Sequence, residues 1–116
     1  MGPDYAGLFS MEDELAAGLL EAGAATGEEM WRLPLNDTYF EQIKSEYADV
    51  KNGGAGGAGA SVGAAFIGSF VGEDQPWAHI DIAGVDYNEE PAPTAPKGFT
   101  GWGVRLLDEY LRRHYE

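Results

Sequence analysis

Trp77-Ala78-His79-Ile80-Asp81-Ile82-Ala83-Gly84 is the most strand-like run in this chain of 116 residues, and glycine-rich or helical segments lie on both sides of it. Ala78, Ile80 and Ile82 alternate with His79 and Asp81, so the two polar side chains project from one face of a strand over 77–83. A lone strand cannot satisfy its own backbone donors and acceptors. Either short strands form near 3–6 and 47–51 to pair with it, or the chain is cut from a larger α/β protein whose other strands lie elsewhere. Both routes lead to an α/β fold.

Working outward, Glu73 to Pro76 reads as a turn. Before it, a helix is expected over 60–71, with Val62, Ala65, Phe66, Ser69 and Phe70 as its inward stripe and Gly72 as its stop. Further upstream, Asn36 caps a helix over 37–46, with Leu35 and Phe40 placed as a hydrophobic staple. Tyr39, Phe40, Ile43 and Tyr47 share one face of it, and its end frays near Ser45 to Tyr47. The first helix spans 11–26, with Ser10 as N-cap, Glu12, Asp13 and Glu14 in its first turn, and Gly27 beyond its end.

Downstream, 84–99 contains Pro91, Pro93 and Pro96 and reads as a long loop. Thr100 caps a last helix over 101–114, with Val104, Leu107 and Leu111 as its buried stripe. Asp108 with Arg112, and Glu109 with Arg113, are i,i+4 pairs in the favoured order. Four helices around a main strand, with no internal repeat and no linker, imply that 1–116 is a single domain or part of one.

Composition narrows the function classes. The hydrophobic fraction of 44% is that of a globular protein. The net charge of -13 opposes phosphate backbones and anionic membrane surfaces, so neither nucleic acid nor membrane is an expected partner. It is compatible with cation binding, but an acidic surface ordinarily serves solubility. The absence of cysteine excludes disulfides and thiolate metal sites and suits the cytoplasm. Met1 to Tyr5 has neither the basic region nor the apolar core of a signal peptide. The run from Gly57 to Gly72 falls short of the ~20 apolar residues that span a bilayer.

Three features invite a chemical reading. Gly53–Gly59 precedes a helix, as a phosphate loop would, but no Lys stands at Ala60-Ser61. A dinucleotide site would need a solid apolar strand before the glycines, and 48–52 is only a weak one. A tight turn with close packing is the better account. His79 and Asp81 could serve a metal or a proton relay. Without a second His nearby, polar residues hydrogen-bonded to neighbouring backbone are the simpler account. His114 suits the negative end of the last helix. The acidic pairs Glu28-Glu29 and Glu89-Glu90 read as solvated surface. No H-E-x-x-H, G-x-S-x-G or EF-hand loop occurs, so spacing alone shows no catalytic machinery.

The residues also carry a resemblance. Tyr5-Ala6-Gly7-Leu8-Phe9-Ser10, Trp31-Arg32-Leu33-Pro34-Leu35, Ala48-Asp49-Val50-Lys51-Asn52, the opening Trp77–Gly84 run and Lys97-Gly98-Phe99-Thr100-Gly101 resemble, in order and spacing, the leucyl (cytosol) aminopeptidases. The similarity runs over nearly the whole chain and corresponds to the C-terminal part of that family's catalytic domain, a mixed or parallel-sheet α/β domain.

The resemblance implies a hydrolase that removes N-terminal residues from peptides, working as a hexamer in the cytoplasm with two divalent metals, zinc or manganese. The family's metal ligands come from a K-G-x-x-x-D stretch, a further Asp and an N-T-D-A-E-G-R motif, whose Arg binds the bicarbonate used as general base. None of these is present here. A two-metal site polarises water and the scissile carbonyl between two cations. Without its ligands, this chain is expected to hold no metal, contribute no catalytic residue and have no activity alone.

Two positions carry over as substrate-binding residues, Ala83 of the I-A-G motif and Asp86 three residues later, which line the pocket for the substrate's first side chain. Asp86 departs from the family, which usually has an apolar residue there, and Gly56 stands where the family typically has an Arg. The rival expectation is a non-catalytic interaction module. On the fragment reading, an unpaired apolar edge on strand 77–83 would promote self-association into a dimer or larger assembly. Other expected partners are the remainder of the parent enzyme and, in the intact enzyme only, peptides.

Overall fold

The computed structural model describes residues 3–41, 43, 59–91, 93 and 96–116. The element order is β1 (Ala6–Phe9), α1 (Asp13–Thr26), β2 (Met30–Arg32), α2 (Asp37–Glu41), α3 (Gly59–Gly68), β3 (His79–Asp81), β4 (Tyr87–Asn88), β5 (Gly98–Phe99) and α4 (Val104–Tyr115). The fold is mixed α/β with four helices among the described residues. One sheet has the strand order β2-β1-β3, and β4 and β5 form a separate two-stranded sheet.

The central strand is β1, not the run around His79. Ala6, Gly7, Leu8 and Phe9 are all buried. Such a continuous apolar run suits a strand covered on both faces. The expected strand over 77–83 contracts to 79–81 and lies at the edge of its sheet among the described residues. Asp81 ends it, because its Oδ1 accepts the Ala83 N–H at 3.0 Å and turns the chain. The strand expected near 3–6 forms at 6–9. The one expected near 47–51 lies outside the described residues, as do residues 53–58 of the glycine run.

Contacts divide the chain into two compact units: Met1–Gly7, Ala17–Trp31 and Ile80–Glu116 in one, Leu8–Ala16 and Arg32–His79 in the other. In the first unit, α1 closes as its composition requires. Gly27 takes a φ of 75°, and the Glu28 N–H donates to the Gly23 carbonyl at 2.9 Å, the wrap that ends helices on a left-handed glycine. Thr26 Oγ1 donates to the Ala22 carbonyl at 2.8 Å. A Cβ on Gly18 would come within 2.9 Å of Tyr110 and 3.0 Å of His114, so this glycine lets α4 lie close against α1.

Helix α4 starts at Val104, not 101, and Thr100 is not its cap. Its N-cap is Gly103, at φ 102°, with no capping side chain of its own. The cap comes from Glu28, whose Oε2 accepts the Gly103 N–H at 3.1 Å and whose Oε1 accepts the Leu106 N–H at 2.7 Å. Glu28 is therefore buried, at 2% exposure, and is not the solvated acid its neighbour Glu29 suggested. The expected stripe of Val104, Leu107 and Leu111 is exposed, and Leu106 is the buried residue. The pairs Arg112–Asp108 and Arg113–Glu109 form at 2.9 and 2.7 Å.

In the second unit, the Asn36 side chain accepts the Thr38 N–H at 3.0 Å and starts α2 as expected. The helix is described only to Glu41. Residue 43 is a turn, and residues 42 and 44–46 of the expected 37–46 helix lie outside the description. Leu35, Tyr39, Phe40 and Phe66 pack on a core of Ile43, Val62 and Ala65. Ser61, also buried, donates from Oγ to the Pro34 carbonyl at 2.8 Å.

Helix α3 ends at Gly68, and bonds from Phe70 to Ile67 and from Val71 to Gly68 tighten the chain beyond it. Ser69 and Phe70, expected inward, are exposed there. The Trp77 indole lies where a Cβ on Gly68 would be. Ser10 is not the N-cap of α1. Its Oγ accepts the Glu12 N–H at 3.1 Å and donates to the Trp77 carbonyl at 2.7 Å, which delays the helix to Asp13.

Candidate functional site

The two expected substrate-contacting residues lie on one turn in the first unit. Beyond the Asp81–Ala83 bond, the Val85 N–H donates to the Ile82 carbonyl at 2.9 Å. Val85 is buried and anchors the turn from below, while Ala83 stays exposed and Asp86 half-buried.

Thr100 locks the other side. Its Oγ1 donates to the Val85 carbonyl at 2.8 Å, and its N–H donates to the Asp86 carbonyl at 2.9 Å. The same hydroxyl accepts the Trp102 N–H at 3.2 Å. The hairpin of β4 and β5 continues from these bonds, with Tyr87 opposite Phe99 and Asn88 opposite Gly98. The Tyr87 and Phe99 rings meet edge to face, 5.2 Å apart. Part of the expected loop over 84–99 is thus a clamped hairpin.

This turn can present a rigid surface to a ligand side chain. Nothing in the bonds described gives it a nucleophile with a base. The Asp81 carboxylate is engaged with the Ala83 N–H, the local backbone partner anticipated for this polar residue. His79 lies against the Phe9 ring, 5.9 Å between centroids. No group of three or more His, Asp or Glu able to hold a metal ion occurs among the described residues, so they do not fit a divalent metal site. His114 stacks on Tyr110, with ring centroids 4.4 Å apart.

A shallow groove in the second unit is lined by Ser10, Met11, Arg32, Leu33, Pro34 and Leu35. Arg32 is committed on its wall. It donates to the Ser10 carbonyl at 2.7 Å and pairs with Asp13 at 2.8 Å. The groove includes neither Ala83 nor Asp86. No described helix is long and apolar enough to cross a membrane.

Sequence reasoning missed two residues that hold this region together. Thr100, which local sequence places as a helix cap, fixes the turn instead. Glu28, which local sequence places at the surface, anchors the start of α4 at Gly103 and Leu106 instead. A carboxylate two residues past a helix end carries no local signal of a partner more than 70 residues away.

The site is thus a clamped turn at the end of a short strand, continued by the β4–β5 hairpin, within a mixed α/β fold. The chain belongs to the cytosol aminopeptidase family: the family model described as "Cytosol aminopeptidase family, catalytic domain" matches residues 1–108. The "Probable cytosol aminopeptidase" of Rickettsia bellii (strain OSU 85-389) is 47% identical over 118 residues, covering 100% of this chain and 24% of that relative.

Among solved structures, a mutant of tomato leucine aminopeptidase matches with a TM-score of 0.87 and 42% identity, over 97% of this chain and 21% of that one. The cytosol aminopeptidase of Coxiella burnetii matches with a TM-score of 0.86 and 38% identity, over 99% and 25%. The chain spans about a quarter of the length of the curated relatives it matches.

Proposed function

We propose that this chain is the portion of a leucyl aminopeptidase-like catalytic domain that walls the pocket for the substrate's first side chain, and that it does not hydrolyse peptides alone. Ala83 and Asp86 are the wall. In the longer enzyme, whose reaction is removal of N-terminal amino acids from peptides, the two divalent metals, zinc or manganese, are held by residues outside these 116. The supporting observation is the turn itself: Ala83 is presented to solvent while Thr100 bonds both Val85 and Asp86. A wall of that kind orients a substrate but moves no proton.

The test is hydrolysis of a leucyl amide by the purified chain with added manganese or zinc. No turnover is expected. Turnover that co-purifies with the chain and disappears on chelation overturns the proposal.

A second reading, a non-catalytic module that self-associates, is favoured by the edge position of β3 and by large apolar side chains left at the surface. The gene discriminates the two: an upstream reading frame carrying the metal motifs supports the enzyme portion, and its absence supports the module.

A further inference from the structure

The candidate wall carries a charge at Asp86, and the hairpin decides its face. Tyr87 stands opposite Phe99, and Asn88 opposite Gly98. One step nearer the turn, the Thr100 N–H bonds the Asp86 carbonyl at 2.9 Å. Side chains alternate along a strand, so Asp86 and Asn88 share one face and the Tyr87–Phe99 ring pair takes the other. Burial follows the alternation: Tyr87 and Phe99 are exposed, whereas Asp86, Asn88 and Thr100 are half-buried.

On that face the Asp86 carboxylate holds nothing. Asp81, at the other end of the turn, spends Oδ1 on the Ala83 N–H. Asp86 accepts no side-chain hydrogen bond and forms no ion pair among the described residues. Arg32, Arg105, Arg112 and Arg113 are taken by Asp13, Glu28, Asp108 and Glu109. The carboxylate is thus no part of what folds the turn.

A half-buried carboxylate keeps its charge by contact with water, and a ligand side chain laid over it removes that water. Beneath an aliphatic group the charge would be left unpaired, which is costly. Beneath a cation it would gain a charge-assisted hydrogen bond. A carboxylate in the wall therefore selects against a leucyl-type side chain as well as for a cationic one. The net charge of -13 draws cations in the same sense.

We propose that Asp86 makes this wall selective for peptides whose N-terminal residue is lysine or arginine. This selectivity rests on the reading of Ala83 and Asp86 as the pocket wall. Asp86 pairs with the ammonium or guanidinium group, and the methyl group of Ala83 lies beside the aliphatic stem. The contact binds and orients the substrate, so it acts on the choice between substrates and not on the type of reaction.

The test uses the full-length enzyme encoded by the gene. Lysyl and norleucyl amides share the same aliphatic stem and differ in the terminal ammonium, so the ratio of their kcat/KM values isolates the charge. The parent enzyme is expected to favour the lysyl amide by about 10-fold or more, the scale of a hydrogen bond between charged groups. Asp86→Asn, of the same shape but neutral, abolishes that preference, and Asp86→Glu retains it. A ratio unchanged by Asp86→Asn, or a parent enzyme that favours the norleucyl amide, overturns the proposal. Ala83→Leu probes the wall separately and is expected to lower turnover of both long amides relative to the alanyl amide. If only Ala83→Leu changes the ratios, the wall stands and its charge selectivity falls. If neither substitution changes them, or if the full-length protein hydrolyses none of the amides, the pocket-wall reading falls and the selectivity with it.

Discussion

Glu28 and Leu106 are joined across 78 positions of the sequence: Glu28 Oε1 accepts the Leu106 N–H at 2.7 Å. With Oε2 on the Gly103 N–H at 3.1 Å, one buried carboxylate satisfies two backbone donors at the start of α4. A helix N-terminus leaves its first N–H groups without intrahelical partners and carries partial positive charge. Gly103 has no side chain to offer them, so the cap arrives from the end of α1. Arg105, with a nitrogen 3.5 Å from Oε2, adds a cation on the solvent side.

Glu28→Ala removes the acceptor and strands two buried N–H groups. The expected cost is about 2–4 kcal/mol of folding stability. Glu28→Gln keeps one carbonyl acceptor but loses the charge, and is expected to cost about half as much. Urea unfolding followed by circular dichroism measures both. Equal losses for Ala and Gln would show that charge, not hydrogen-bond acceptance, is what α4 needs.

Gly68→Ala places a methyl group where the Trp77 ring lies. The ring must move, at an expected cost of about 1–3 kcal/mol for overpacking. Tryptophan fluorescence of the folded variant shifts, because Trp77 leaves its half-buried position. Gly63→Ala, on the same helix with open space around its Cβ, is the control and is expected to be neutral or slightly stabilising.

Thr100→Val keeps the shape of the side chain and deletes the hydroxyl that holds the Val85 carbonyl and the Trp102 N–H. Stability is expected to fall by about 1–2 kcal/mol. Amide hydrogen exchange is expected to quicken at Trp102, whose N–H loses its acceptor, and at Val85, whose N–H bond to the Ile82 carbonyl sits in the turn that the hydroxyl holds. Unchanged exchange at both would remove Thr100 as the clamp of the candidate pocket wall. Thr100→Ser, which keeps the hydroxyl, is expected to retain protection.

Glu109→Gln breaks the pair with Arg113 at the surface of α4. The pair is partly exposed and screened by salt, so the expected loss is at most about 0.5 kcal/mol. Thermal unfolding at low and high ionic strength checks it, and the difference from the parent chain is expected to shrink as salt rises.

Much of the fold was legible because it is written in short-range terms. Asn36 as a cap, Gly27 as a helix stop and the two i,i+4 pairs on α4 are all decided by residues within about four positions of one another, and all form, while Leu35 and Phe40, expected as a staple, both pack on the Ile43, Val62 and Ala65 core. The order and spacing of the Trp31–Leu35, Trp77–Gly84 and Lys97–Gly101 runs likewise indicated the family. The candidate pocket wall was legible only through that resemblance, since Ala83 and Asp86 have no chemical pattern of their own.

Local sequence is ambiguous where one residue type serves two purposes. Ser10 and Thr100 both stand where a helix cap belongs, and each spends its hydroxyl on a distant carbonyl, of Trp77 and Val85 respectively. Helix α4 has apolar residues on two sides, and periodicity cannot say which side meets the core. A buried Leu106 and an exposed Val104 differ only in what the rest of the chain brings to them.

The sequence by itself determined the α/β class, the number and approximate place of the helices, and the family, because propensity, capping and periodicity are properties of neighbours along the chain. Tertiary structure alone decided that β1 is the central strand, that Glu28 caps α4, that Thr100 locks the turn at Ala83 and Asp86, and that one apolar face of α4 is left open. Each of these depends on which distant groups meet, and a hydrogen bond or a buried face has no meaning until its partner is in place.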